Sequence, residues 1–260
     1  MEEKALRLSA VFLMILTAVS FVLLPKLPAL HTWEVEAREE RIAEEEFAQS
    51  QVTMQNLKIK EQNEAAGAKG ELSIRLPEGV TGDQIAVSND YVTQTIRVEI
   101  PQADRTYFDS YPVLGNSDYI DGLSYTRQGE MGVIEVTTNK VYELQTEYDA
   151  QNFYFNFLTP HEVYDKVVVI DAGHGGRAVG ANKQGINEKD IDLAIVLKLK
   201  EIFDNSDQNI GVYYTRTDDS NPTFDQRVQL ANKSDADLFI SIHNNSTRSG
   251  RMSGTSGTQV

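Results

Sequence analysis

The chain contains no cysteine and is poor in positive charge. The first absence excludes a disulfide-stapled scaffold, thiolate zinc sites, iron–sulfur clusters and a cysteine nucleophile. Any metal must then be held by His, Asp or Glu. Against 24 Lys and Arg stand 39 Asp and Glu, for a formal net charge of −15. That deficit argues against nucleic acid as a partner, because phosphate binding needs clustered Lys and Arg. Gly and Pro are missing throughout 34–64, so no turn signal interrupts that stretch. The 260 residues allow one large domain or two small ones. An apolar content of 40% can support a packed core.

The apolar residues are unevenly spread. Ser9 to Leu24 is an uncharged run preceded by Lys4 and Arg7. As a helix it spans ~24 Å at ~1.5 Å per residue, slightly short of a ~30 Å hydrocarbon core, and Leu6 and Leu8 extend it if Arg7 snorkels. The basic flank favours the cytoplasmic side, so the body of the chain is expected outside the cell. Residues 1–30 are therefore read as an uncleaved signal-anchor, a single-pass membrane segment. A cleaved signal peptide, with secretion to the wall, is the alternative. Residues 31–70 are read as a charged stalk, helical or without fixed structure, that ends where Ala65 to Gly70 breaks the pattern.

From Glu71 the apolar period becomes two: Leu72, Ile74 and Leu76, then Ile96, Val98 and Ile100, then Val133 to Val136, then Phe153, Phe155 and Phe157. These predict strands of a small β-sandwich-like domain over 71–160. Tyr107, Phe108, Tyr111, Tyr119 and Tyr125 offer either core or a glycan-binding face. Thr159-Pro160-His161 is read as the start of a linker.

Residues 161–260 carry the chemistry. The continuous apolar run Val167–Ile170 suits a strand covered on both faces of a parallel sheet. It leads into Asp171-Ala172-Gly173-His174-Gly175-Gly176. A helix opening at Asn187-Glu188-Lys189-Asp190 is expected to bury Ile191, Ala194, Ile195, Leu197, Leu199 and Ile202. Strand 212–215, a helix over 223–233 with Phe224, Val228 and Ala231 on one side, and strand 238–242 complete an open, doubly wound α/β sheet. Ligands collect at the carboxyl ends of such strands. His174 and His243 both follow strand ends, and Glu188 opens a helix. Two imidazoles and a carboxylate are a three-ligand zinc set, with Asp171 placed to orient a histidine. Satisfied loop histidines and a helix-opening glutamate remain the alternative. The glycines do not match GxxxxGK[ST] or GxGxxG, which argues against a nucleotide site.

Val168–Gly176, Asn187–Asp190 and Ser241-Ile242-His243-Asn244-Asn245, with Arg227, Ala231-Asn232 and Asp235–Leu238, resemble the zinc-dependent N-acetylmuramoyl-L-alanine amidases of the type 3 family. The resemblance covers about 167–260. It implies that His174, Glu188 and His243 bind Zn2+. It also implies hydrolysis of the amide between N-acetylmuramic acid and L-alanine of the stem peptide, in wall turnover or cell separation. Peptidoglycan is then the substrate, and a divisome or wall-associated regulator the expected protein partner. The β-rich segment is loosely similar to the β-domains that localise such enzymes on the wall. In that family the general-base glutamate lies downstream of the second histidine. No Asp or Glu follows His243 here, so the base is expected beyond Val260 and the catalytic domain is read as C-terminally truncated, with impaired hydrolysis. Asp190 and Asp192 are weaker substitutes. A non-catalytic wall-binding or regulatory protein with a residual metal site is the alternative.

Overall fold

The computed structural model describes residues 55–57, 60–61 and 69–244. The apolar run 9–24 and most of the stretch read as a stalk lie outside the described residues. So does everything after Asn244. Among the described residues no helix is long and apolar enough to cross a membrane.

The β-rich part comprises β1 (Gln55–Asn56), β2 (Lys60–Glu61), β3 (Leu72–Arg75), β4 (Ala86–Asp90), β5 (Thr95–Pro101), helix α1 (Arg105–Ser110), β6 (Leu114–Gly115), β7 (Ile120–Gln128), β8 (Met131–Thr138), β9 (Glu143–Tyr148) and β10 (Asn152–Leu158). Two sheets form, in the orders β1-β7-β8-β5-β4 and β2-β6-β3-β10-β9. All pairs are antiparallel except β2 with β6. The period-two residues face inward: Leu72 and Ile74, Ile96, Val98 and Ile100, Ile134 and Val136, and the three phenylalanines of β10 share one buried core. The aromatics divide. Phe108 and Tyr125 are core, Tyr107 and Tyr119 pack partly against it, and Tyr111 is exposed. Residues 55–57 and 60–61, read from sequence as stalk, instead supply two short edge strands, and Leu57 packs on the core.

The remainder comprises α2 (Pro160–Val163), β11 (Lys166–Ala172), the hairpin β12 (Asn182–Lys183) and β13 (Ile186–Asn187), α3 (Glu188–Asp204), β14 (Ile210–Tyr214), α4 (Phe224–Lys233) and β15 (Leu238–Ile242). Thr159 and Glu162 form a capping box on α2, so the expected linker start is a capped helical turn. His161 bonds the Asp235 carbonyl at 2.9 Å. β11 lies between β14 and β15, parallel to both. Val167 and Val169 pack with Leu230 of α4 on one face. Ile170 and Ala172 pack with Val196 of α3 on the other. The run Val167–Ile170 is thus covered on both sides, as its composition predicts.

The same face as α4 also meets the β-rich part. Val141 joins the cluster of Val167, Val169 and Tyr213. Glu143 accepts from the Tyr91 hydroxyl at 2.9 Å and from the Tyr213 hydroxyl at 2.6 Å. Burial and that carboxylate push both phenols above their ordinary range.

Two expected helix faces are corrected. α3 turns Glu188, Asp192 and Val196 inward, while Ile191, Ile195, Leu197 and Ile202 are exposed. α4 buries Arg227 and Leu230, and leaves Phe224 and Val228 exposed. In both helices the inward positions nearest the strand ends carry charge, so the apolar pattern marks the wrong stripe.

Candidate metal centre

The strand ends converge as expected from the topology. β11 stops at Ala172, and Gly173 N–H bonds the Ile242 carbonyl at 2.9 Å. This bond registers the His174 loop against the end of β15, from which His243 follows. The imidazole rings of His174 and His243 sit 4.8 Å apart and near perpendicular, at 85°. Two glycines make room for them. A Cβ on Gly173 would fall 2.4 Å from His243 Cε1, and one on Gly180 would fall 2.6 Å from His174 Cδ2 and 2.8 Å from Glu188 Cβ. Gly180 also has φ +65°, where a side chain is strained.

Glu188 opens α3 between the two rings. Its Oε1 accepts from Asn244 N–H at 2.8 Å and lies 3.3 Å from His243 Nδ1. Its Oε2 accepts from Ala181 N–H at 2.8 Å and lies 3.4 Å from His174 Nε2. Side-chain exposure is 6% for Glu188 and 15% for His174 but 39% for His243, so the cluster opens to solvent beside His243. Asp192, one turn along α3, completes a set of four residues whose donor atoms all lie within 4.8 Å of one another. Asp192 Oδ1 accepts from Asn244 Nδ2 at 2.7 Å, whereas its buried Oδ2 has no partner. Burial, with the charge of Glu188 adding to it, pushes the Asp192 carboxyl up to about 6 despite the Asn244 bond.

The supporting layer differs from the sequence reading. Asp171 does not orient a histidine. It is buried against Arg227 Nη1 at 2.5 Å, and accepts from the Thr215 and Ser241 hydroxyls at 2.6 Å each. The reason is geometric: the Asp171 carboxylate is taken up by groups from β14, α4 and β15. Burial would raise this carboxyl, but Arg227 and the two hydroxyls outweigh it and hold it below the usual carboxylate range. Arg227 then donates to the carbonyls of Ala172 at 2.7 Å and His174 at 2.8 Å. Arg216 donates to those of Ala172 at 2.9 Å, Gly173 at 2.7 Å and Lys189 at 2.9 Å. Lys189 reaches the Gly176 carbonyl at 2.7 Å and Asp219. Arg216 and Lys189 therefore fix the His174 loop to the start of α3, and Arg227 fixes it to α4.

Sequence reasoning named Asp192 only as a weak substitute base, not as a member of the cluster, and missed Arg216 as a clamp. The spacing from Glu188 to Asp192 is one helical turn, which places both on one face. Arg216 lies just past the carboxyl end of β14, where site residues collect.

Residues 168–259 match the family described as N-acetylmuramoyl-L-alanine amidase. An endolysin of Bacillus phage SPP1 is 45% identical over 86 residues, covering 33% of this chain and 31% of that protein. The N-acetylmuramoyl-L-alanine amidase AmiC of Escherichia coli is 40% identical over 91 residues, covering 35% of this chain and 22% of that protein. Among solved structures, the catalytic domain of the N-acetylmuramoyl-L-alanine amidase CwlV from Bacillus (Paenibacillus) polymyxa var. colistinus shares 42% identity, with a TM-score of 0.31. It covers 32% of this chain and 46% of that one. The match to the phage endolysin spans about a third of that protein's length, 31%.

Proposed function

We propose, with residues 168–259 a segment of the N-acetylmuramoyl-L-alanine amidase family, that this protein is a peptidoglycan hydrolase. It cuts the amide between the lactyl group of N-acetylmuramic acid and L-alanine of the stem peptide, at a zinc ion held by His174, Glu188 and His243. The observation that carries this reading is the convergence of two imidazoles on the two oxygens of one buried carboxylate.

The donor set fits the ion. Two imidazoles and two carboxylates offer donor atoms that all lie within 4.8 Å of one another, and imidazole nitrogen and carboxylate oxygen are the ligands zinc takes in a site without thiolates. The partnerless Asp192 oxygen beside them is a buried negative group that a cation would satisfy. Zinc bound there supplies Lewis-acid polarisation of the amide carbonyl and acidifies water.

The chain's own residues do the rest. His174 and His243 act as neutral donors, so protons compete with a metal ion for them. The amides of Ala181 and Asn244 hold the Glu188 carboxylate in place. Arg216 and Arg227 pin the loop carbonyls so that His174 needs no reorganisation. Among the described residues, Asp192 is the further carboxylate of the cluster. The exposed edge of His243 is the side from which a wall strand reaches the site.

The same proposal places the body outside the cell behind a membrane anchor, supported by the run Ser9–Leu24 and the preceding Lys4 and Arg7. It divides the chain at about 31, 71 and 161, with the edge strands at 55–61 drawing the β-rich part further toward the N-terminus. Incubating the zinc-loaded protein with purified wall tests the activity. Free stem peptides with L-alanine amino termini are expected, and they should vanish in His174→Ala. Peptides with other new termini, or new reducing sugar ends, would overturn it.

A further inference from the structure

The β-rich part has a concave site of its own. A cleft of about 600 Å³ lies among the end of β3, the turn after it, the residue following β5, helix α1 and the β9–β10 turn. That volume is in the range of small-molecule sites, ~300–1,000 Å³. Arg75, Glu78, Gln102, Tyr107, Tyr111 and Gln151 supply its polar and aromatic lining.

Core packing accounts for part of this lining only. Phe108 and Tyr125 belong to the core, but Tyr111 leaves 42% of its surface exposed. Its ring stands 5.0 Å from that of Tyr107, and the Arg75 guanidinium lies over it at 4.8 Å. The Tyr107 hydroxyl donates to the Arg75 carbonyl at 3.0 Å, which ties α1 to the end of β3. Among the described residues the Arg75 guanidinium makes no hydrogen bond and no ion pair; it rests on an aromatic face with its N–H groups unused. Gln102 is held at φ +61°, a region costly for any side chain but glycine.

We infer that this cleft binds a saccharide carrying a free carboxylate, with Tyr111 as the stacking face and Arg75 as the carboxylate partner. The C–H face of a sugar ring packs on an aromatic ring, and the Gln102 and Gln151 amides offer donors and acceptors to hydroxyl and N-acetyl groups. The unused guanidinium selects an anion, which it can take up through two parallel hydrogen bonds. An extended peptide would seek a strand edge, not this meeting of turns and a helix.

The choice of sugar rests on the amidase reading above. Hydrolysis there adds water across the amide, leaving the lactyl group as a carboxylate and the stem as an ammonium ion. Stripped glycan is therefore rich in carboxylate-bearing N-acetylmuramic acid, and intact wall is not. The cleft would hold the protein on strands it has already stripped.

The test titrates the purified full chain with N-acetylmuramic acid, with N-acetylglucosamine, which lacks only the lactyl group, and with an acetylated D-alanyl-D-alanine peptide. N-acetylmuramic acid is expected to bind at least about tenfold more tightly than N-acetylglucosamine. Arg75→Gln should erase that preference, Glu78→Gln should enlarge it, and Tyr111→Ala should lose both sugars. Tyr111 is an exposed side chain, and an unchanged melting midpoint checks that its variant folds. Metal content should stay constant throughout. Failure of both sugars to bind, a preference that survives Arg75→Gln, or tighter binding of the peptide would each overturn the inference. Sugar selectivity in a protein that leaves other new peptide termini or new reducing sugar ends on wall would overturn the amidase reading and leave this one standing.

Discussion

The guanidinium of Arg227 lies 2.5 Å from the carboxylate of Asp171, and both side chains are buried. The same guanidinium donates to the carbonyl of His174. One ion pair thus joins the floor of the sheet to the loop that carries a candidate ligand.

Breaking that pair from one side should be costly. Arg227→Met leaves Asp171 charged and without its ion-pair partner, and a loss of about 3–5 kcal/mol is expected in denaturant melts. Adding Asp171→Asn should recover part of it, because the stranded charge is gone. A double variant no more stable than Arg227→Met alone would show that Arg227 acts by packing instead.

Asp171 also predicts an acid limb. Its carboxyl is held below the usual range in the folded chain, so the unfolded chain binds more protons as pH falls. The stabilisation is present above about pH 4, the ordinary carboxylate value, and is lost as pH drops through the lower folded value. The stability gap between the unsubstituted chain and Asp171→Asn should therefore be flat near neutrality and shrink below about pH 4. A gap that widens on acidification would contradict this.

Much of this architecture is legible in the sequence. Val167–Ile170 announced a two-sided strand, and alternation announced β3, β5, β8 and β10. His174, Glu188 and His243 sat where strand ends and a helix start bring chemistry together. What stayed hidden has physical causes. β4 and β9 are edge strands with mostly exposed, polar residues, so no alternation marks them. β7 carries an irregularity between Ile120 and Gly122 that breaks its register. The inner face of α3 begins with Glu188 and Asp192, so hydrophobic periodicity selects Ile191 and Ile195 instead. Arg216 acts through carbonyls, and carbonyl positions leave no trace in side-chain patterns.

Gly180 supplies a steric prediction. A methyl group there meets the His174 ring and Glu188 Cβ, and φ is +65°. Gly185 has φ +80° but nothing within 4 Å of the added carbon. Gly180→Ala and Gly185→Ala should both pay the backbone strain, about 1 kcal/mol. Only Gly180→Ala should lower metal affinity. Equal metal binding in the two variants would remove Gly180 from the site.

The central claim is that His174, Glu188 and His243 hold one metal ion together. Equilibrium zinc content, measured after dialysis of the unsubstituted chain, His174→Ala, His243→Ala and His161→Ala, tests it most directly. His161 is the control, a surface imidazole bonded to the Asp235 carbonyl away from the cluster. The account predicts one zinc per chain for the unsubstituted protein and for His161→Ala, and near-complete loss in the other two. Full zinc retention in either His174→Ala or His243→Ala would contradict it.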